Sequence, residues 1–156
     1  MTDTAIAPTP LAVPGLGRVY AALSPLTLPL LRVATGLLLM PHGAQKLFGA
    51  LGGYGLAGTG QFFDSIGYSP GVFWALVVGI VEFFGGLAIA LGFATRIAAT
   101  LAFVVLVNAV LFHLPNGPFA GNGGYELALL WAVAALVFAV RGGGPLSVDK
   151  ALGREI

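Results

Sequence analysis

Cysteine is absent from this chain, and charged residues are scarce. The lack of cysteine excludes disulfide exchange, thiolate chemistry, iron–sulfur ligation and cysteine-based zinc sites. Only 8% of the residues are charged, the formal net charge is +1, and lysine and arginine form no cluster along the sequence. A nucleic-acid-binding surface needs such a basic patch, so the composition predicts no nucleic-acid partner.

Hydrophobic residues, by contrast, make up 58% of the 156 residues, and the mean hydropathy is +0.96. Since soluble domains are about a quarter charged, this balance predicts a protein of the lipid bilayer. Four apolar segments come close to the ~20 residues that a membrane-spanning helix needs. They cover residues 27–49, 70–93, 95–114 and 123–140.

The expected fold is therefore all-α, a membrane-embedded four-helix bundle. We expect this four-span domain over residues 25–146, after a disordered or interfacial tail over residues 1–24. Residues 147–156 are expected to form a short cytoplasmic tail. A short interfacial helix over residues 59–66 is expected between the first two spans, because its phenylalanines fall on one side.

The positions of lysine and arginine predict the orientation. Six of these seven residues lie near one set of span ends, and only Lys46 lies near the other set. Because cytoplasmic loops carry the excess of positive charge, both termini are expected in the cytoplasm. This predicts a multi-pass membrane protein. Arg32 and Arg96 are expected to be membrane-edge anchors whose side chains snorkel to the interface.

A polar stripe runs along the first span. Arg32, Thr35, Leu39, His42 and Lys46 are spaced three, four, three and four apart, which places them on one face of a helix. An ionisable group that faces lipid costs several kcal/mol, so this stripe should face other helices.

The second span has a matching face, where Gly79 and Gly86 flank Glu82. Small residues at this spacing let another helix approach closely, beside the only charge of the span. A carboxylate and several bases are therefore expected to meet inside the bundle.

Depth along the membrane normal sorts the polar residues into two sets. Three of them, one from each of the first three spans, fall about 15–18 Å from the cytoplasmic edge at the rise of an α-helix. Three others fall nearer the opposite surface. The predicted ligand-binding or proton-exchanging residues are His42, Glu82 and Asn108 in the inner set and Lys46, His113 and Glu126 in the outer set.

Two interpretations of these residues stay open. In the first, a buried carboxylate and a buried base pair only to fix the register of the helices. In the second, His42 and Glu82 form a pocket that opens outward past Lys46 and Glu126, since ionisable groups inside a membrane commonly mark functional sites.

Several familiar chemistries are not supported. Residues 53–58 match the glycine spacing of a dinucleotide-binding loop, but they follow a membrane helix instead of a β-strand. His42 and His113 differ by ~10 Å in depth, which argues against a haem held by both. His42, Glu82 and His113 lack a recognised ligand spacing, so no metal site is predicted. No catalytic residue and no intrinsic cofactor is assigned, and whether the protein is an enzyme stays open.

The motifs that remain form a recognisable set over residues 30–146. They are Arg32 and Gly36, His42-Gly43 with Lys46, the Gly67-Tyr68-Ser69-Pro70 turn, Glu82 with Gly85-Gly86, Leu91-Gly92, Thr95-Arg96, Glu126, and the GGGPLSVD segment over residues 142–149. With these motifs the chain resembles the DoxX family of small four-span membrane proteins. Family members are associated with a terminal quinol oxidase or thiosulfate:quinone oxidoreductase, and others with oxidative-stress complexes.

The resemblance implies a protein of the bacterial inner membrane. It would be an accessory subunit of a membrane redox system, or a protein that binds quinone or another small lipophilic ligand. Quinone is then the candidate cofactor, and a larger redox complex or a second copy of the chain is the candidate protein partner. Two other roles stay open. One is a proton-linked carrier of a small solute or lipid, and the other is a purely structural subunit for assembly.

Overall fold

The protein is described by a computed structural model over residues 10–155, and no β-strand occurs in this range. Short 3₁₀ turns lie at Pro14–Leu16, Ala50–Gly52, Leu114–Asn116 and Ala120–Asn122. The α-helices of this range are α1 (Gly17–Phe48), α2 (Gly55–Ser65), α3 (Gly71–Leu91), α4 (Thr95–His113), α5 (Glu126–Arg141) and α6 (Val148–Ala151).

Three of these helices, α1, α3 and α4, are long and apolar enough to cross a membrane. The expectation of an all-α, membrane-embedded fold is thus confirmed. Helix α5 has 16 residues, so it is ~24 Å long at the standard rise, somewhat shorter than the others. A crossing by α5 stays a prediction, as does the orientation of the termini.

The start of α1 differs from the prediction. The helix begins at Gly17 and runs through Pro25 and Pro29, so residues 17–24 are helical and not disordered. The interfacial position that the sequence offered as the alternative for this tail stays a prediction. Proline is favoured in a first helical turn, which is why the sequence indicated a start near Pro29. The part of the predicted tail over residues 1–9 lies outside the described residues.

Helices α1 and α3 pack at very short range through glycines. A Cβ atom added at Gly36 would lie 2.6 Å from the Ala90 backbone nitrogen, and one added at Gly43 would lie 2.7 Å from the Gly79 carbonyl oxygen. Such contacts are possible only without side chains, so the predicted small-residue groove of α3 is filled by α1. The polar stripe of α1 turns the same way, with Arg32, Thr35 and Leu39 buried.

The other half of the molecule is held by an alanine-lined seam between α4 and α5. Small side chains let these helices lie close together, in the way expected where lipid leaves packing as the main attraction. Phe138 of α5 and Ile89 of α3 are fully buried beside the seam. The alanines of the seam are Ala98, Ala99 and Ala102 in α4 and Ala132, Ala134 and Ala135 in α5.

The segment after α5 folds back over the end of the bundle. Arg32 is 2% exposed and donates to the carbonyl oxygens of Gly143 and Leu146, the latter at 2.9 Å. Its guanidinium is therefore used within the protein and does not snorkel outwards, whereas a position at the membrane edge stays a prediction for Arg32. Arg96 is partly exposed, donates to the Val140 carbonyl oxygen and pairs with Glu155.

Asp149 closes the start of α4. Its carboxylate, only 1% exposed, accepts from the backbone N–H groups of Ala94 and Thr95, at 2.8 and 2.9 Å, and from the Thr95 hydroxyl at 2.6 Å. Threonine is a favoured residue at helix starts, so the sequence alone indicates Thr95 itself as the cap. Burial raises the pKa of Asp149, but the hydrogen bonds from Thr95 and Ala94 and the nearby Arg32 charge outweigh it, so the pKa lies below its usual range.

Replacing Asp149 by asparagine is expected to destabilise the protein by about 2 kcal/mol at neutral pH, through loss of a charged helix cap. A depressed pKa stabilises the fold above the usual value of about 3.9, and the contribution is lost as the pH falls through the lower value of the folded state. Melting temperatures of both proteins, measured from pH 7 downwards, should therefore converge below pH ~4. A difference in melting temperature that stays constant across this pH range would contradict the role of Asp149 as a charged helix cap.

Candidate functional site

The centre of the candidate site is an ion pair between two membrane helices. Lys46 of α1 and Glu82 of α3 approach to 2.6 Å between Nζ and Oε2, and their side chains are only 23% and 10% exposed. The ammonium group of Lys46 also lies 3.4 Å from the carbonyl oxygen of His42, one turn earlier. Close packing at Gly43 and Gly79 brings the two helices near enough for this pair to form.

Glu82 sits in a locally widened part of its helix. Residues Val81–Gly85 of α3 have π-helical hydrogen bonding, between regular α-helical turns on either side. Insertions of this kind are rare and occur frequently at functional sites, because they turn a side chain out of the regular helical pattern. The hydrophobic periodicity of the sequence gave no sign of this feature.

A pocket lies on the loop side of the ion pair, which we call the loop pocket. Its volume is about 290 Å³, at the lower end of the ~300–1,000 Å³ typical of ligand sites. Lys46 belongs to both the ion pair and the pocket wall, so a ligand in the pocket would have the ammonium group as a neighbour. The loop pocket is lined by Gln45, Lys46, Gly52, Gly53, Tyr54, Thr59, Phe62 and Phe63.

Most of this wall comes from the segment between the first two membrane helices. Tyr54 is 84% exposed, and Phe62 and Phe63 of α2 lie with their ring centroids 5.9 Å apart. The expected short helix at residues 59–66 is present as Gly55–Ser65. Its aromatic side was visible in the sequence, but its position beside Lys46 was not.

The predicted inner set does not come together. His42 makes no hydrogen bond to Glu82 within the described chain, and its ring contacts Trp131 edge-on with a centroid distance of 5.1 Å. Asn108 is exposed, donates to the Val104 carbonyl oxygen at 2.8 Å and lies 3.4 Å from the Tyr68 hydroxyl. The prediction of a His42–Glu82 pair is wrong, because the lysine one turn further on reaches the carboxylate.

The predicted outer set is also divided. His113 is partly exposed, and its Nδ1 lies 2.7 Å from the Gly123 carbonyl oxygen. Glu126 is exposed and accepts from the Ala120 backbone N–H at 2.7 Å. Both side chains hold the loop between α4 and α5, which leaves Lys46 as the one member of this set in the ion pair. In the part of the chain that the structure describes, no three histidine, aspartate or glutamate side chains gather as a metal site.

Comparison with known proteins shows which family the chain belongs to. The DoxX family model matches residues 27–114, which include α1 from Thr27, the loop pocket, α3 and α4. This is more than half of the chain. The chain belongs to the DoxX family. The match covers both partners of the ion pair and every residue that lines the loop pocket.

Two curated relatives of this DoxX protein are 35% identical to it. One, named "Putative oxidoreductase CatD", is from Bacillus subtilis, and the alignment covers 120 residues, 77% of this chain and 82% of the relative. The other, named "Inner membrane protein YqjF", is from Escherichia coli, with 65% of this chain and 77% of the relative covered. No solved structure matches the chain.

Proposed function

We propose that this DoxX protein binds a small lipophilic ligand of the quinone type in the loop pocket, as an accessory subunit of a membrane redox system. The observation that carries the proposal is the position of Lys46, which contacts Glu82 inside the bundle and also lines the pocket. The relative from Bacillus subtilis, named as a putative oxidoreductase, supports a redox context.

The residues of the pocket fit a ring that carries carbonyl oxygens. Lys46 offers a charged donor, and Thr59 and Gln45 offer further polar groups at the same wall. Phe62, Phe63 and Tyr54 offer aromatic surface for stacking against the ring. About 290 Å³ accommodates a ring headgroup, whereas a long isoprenoid tail would have to lie along the lipid-facing surface.

Glu82 would then act on the ligand through Lys46. In a membrane interior an unpaired ammonium group is costly, so the contact with the carboxylate offsets this cost and fixes the direction of the Lys46 side chain. A bound quinone, where present, would supply the electron-transfer chemistry that the chain itself lacks. The residues of this chain bind the ring, orient its carbonyl oxygen and keep the charged donor in place.

The proposed topology places both termini in the cytoplasm of a bacterium and the loop pocket on the opposite face of the inner membrane. Five basic residues support it. Arg32 and Arg96 contact residues 139–155 at one end of the bundle, away from Lys46, and the other three basic residues lie within that stretch. The relative from Escherichia coli is named as an inner membrane protein. The five residues are Arg32, Arg96, Arg141, Lys150 and Arg154.

Quinone binding is testable with the purified full-length protein. We expect a short-chain benzoquinone to quench tryptophan fluorescence with saturation, and organic extracts of the protein to contain quinone. Glu82→Gln should abolish binding, and Tyr54→Ala should weaken it by about tenfold through the loss of aromatic contact. Tyr54 is 84% exposed, so its replacement should not disturb folding. The Tyr54 variant therefore still tests the proposal if the Glu82 variant does not fold.

Glu126→Gln is the matched control, because this carboxylate lies outside the pocket and binds the Ala120 backbone. It should bind quinone as the unmodified protein does. Extracts without quinone, together with no saturable quenching in the unmodified protein, would refute the proposed function.

A further inference from the structure

A second depression, which we call the C-terminal groove, lies at the opposite end of the bundle from the loop pocket. Its volume is about 480 Å³, and it is formed by residues 144–155 where the chain folds back over α4 and α5. Lys150 and Arg154 line it, and both side chains are exposed.

The carboxylates of this groove are already used by α4. Asp149 accepts three hydrogen bonds from Ala94 and Thr95, and Glu155 pairs with Arg96. Within residues 10–155 neither Lys150 nor Arg154 forms an ion pair. The groove therefore presents two cations whose acidic neighbours are bound elsewhere, and it fits an anion.

Exposed leucines lie in the same short segment of chain as the two cations. Leu146 is 74% exposed and Leu152 is 54% exposed. The groove also adjoins the ends of membrane helices, since Glu155 in its lining pairs with Arg96. Arg96 lies in the first turn of α4 and donates to the carbonyl oxygens of Ala139 and Val140 at the end of α5. Helix ends that carry arginine lie at the level of the lipid headgroups. The leucines and the two cations are therefore at the depth where the acyl chains of a lipid join its phosphate group.

We propose that the C-terminal groove binds the phosphate headgroup of an anionic phospholipid. Lys150 and Arg154 donate to the phosphate oxygens, and Leu146 and Leu152 rest on the first part of the acyl chains. The leucines favour a lipid over a soluble phosphate, which would leave this apolar surface in water. Asp149 and Arg32 hold the segment in place from beneath, so the two cations start from a fixed scaffold.

Native mass spectrometry of the full-length protein in detergent tests this site. Titration with phosphatidylglycerol should show one bound lipid at low concentration, and phosphatidylcholine should bind far more weakly. The double variant Lys150→Gln/Arg154→Gln should lose about 30-fold in affinity for phosphatidylglycerol, the expected effect of two cations near an anionic headgroup. Asp149 and Glu155 are unchanged in this variant, so the capping contacts of the segment are kept.

Arg18→Gln is the matched control, because it removes one positive charge from an exposed position on α1, outside the groove. It should bind phosphatidylglycerol as the unmodified protein does. A loss of binding free energy in this control of half that in the double variant, or more, would overturn the proposal, since each removed charge would then count alike wherever it lies. Equal affinity for the two lipids, or displacement of the lipid by inorganic phosphate, would also overturn it. The result is independent of quinone binding, which concerns the other end of the bundle.

Discussion

Replacing Gly43 by valine is expected to lower the free energy of unfolding by about 3 kcal/mol or more. Overpacking of a tight core typically costs 1–3 kcal/mol, and here the added atoms meet backbone that cannot rotate away. A Cβ atom at this position would lie 2.7 Å from both the Gly79 carbonyl oxygen and the Phe83 Cβ atom. Helices α1 and α3 would have to separate, which also weakens the contact at Gly36. Unfolding in mixed micelles of mild and denaturing detergent measures this change.

Gly121→Val is the control for this experiment. A Cβ atom at Gly121 would meet nothing within 4 Å, so the same substitution adds the same atoms without a clash. Its effect on unfolding should stay within ~0.5 kcal/mol, as for other surface substitutions. If the two valine variants were equally stable, the close approach of α1 and α3 would be wrong.

Replacing Lys46 by methionine is expected to cost about 3–5 kcal/mol, because it leaves the Glu82 carboxylate inside the bundle without its partner. Methionine keeps most of the apolar stem of lysine, so the change concerns mainly the charge. The side chain of Glu82 is only 10% exposed, which limits how far water can replace the lost ammonium group. The free energy of unfolding in the same mixed micelles gives the magnitude.

The exposed ion pair between Arg96 and Glu155 is the control for the Lys46–Glu82 pair. Both side chains are 41% exposed, so water screens their attraction. Glu155→Gln should therefore cost less than about 1 kcal/mol, in line with other surface ion pairs. If the Lys46 and Glu155 variants lost the same small amount of stability, the pair in the bundle would have no special role.

The membrane helices were largely predictable, because each one requires a long run of apolar residues that is visible in the sequence. The second predicted span, residues 70–93, corresponds to Gly71–Leu91, and the third, residues 95–114, corresponds to Thr95–His113. The inward face of α1 was also predictable, since an ionisable residue at three- and four-residue spacing has few alternatives to a protein partner. The glycines beside Glu82 pointed to the helix-packing face for the same local reason.

The partners within the site were less predictable, because depth does not fix direction around a helix. Lys46 and Glu82 differ by ~5 Å in estimated depth, which the long side chain of lysine covers. Asn108 lies at a suitable depth but on the exposed side of α4, two positions from the buried Leu106. The π-helical turn around Glu82 adds a rotation that a regular period of 3.6 residues does not contain.

Contacts between residues far apart in the sequence were also not predictable. Asp149 caps a helix that begins 54 residues earlier, and Arg32 binds carbonyl oxygens 111 and 114 residues later. A local capping rule considers only neighbouring residues, so it selected Thr95. The hydroxyl of Thr95 does take part in the cap, but as a donor to Asp149.

The central claim is that charges from separate membrane helices turn towards each other inside the bundle, beside the loop pocket. A double-mutant cycle with Lys46→Met, Glu82→Gln and the double variant measures this interaction directly from free energies of unfolding. The structure predicts a coupling free energy of about 2 kcal/mol, with the double variant more stable than the sum of the single losses indicates. Additive effects, with a coupling below ~0.3 kcal/mol, would show that Lys46 and Glu82 do not interact.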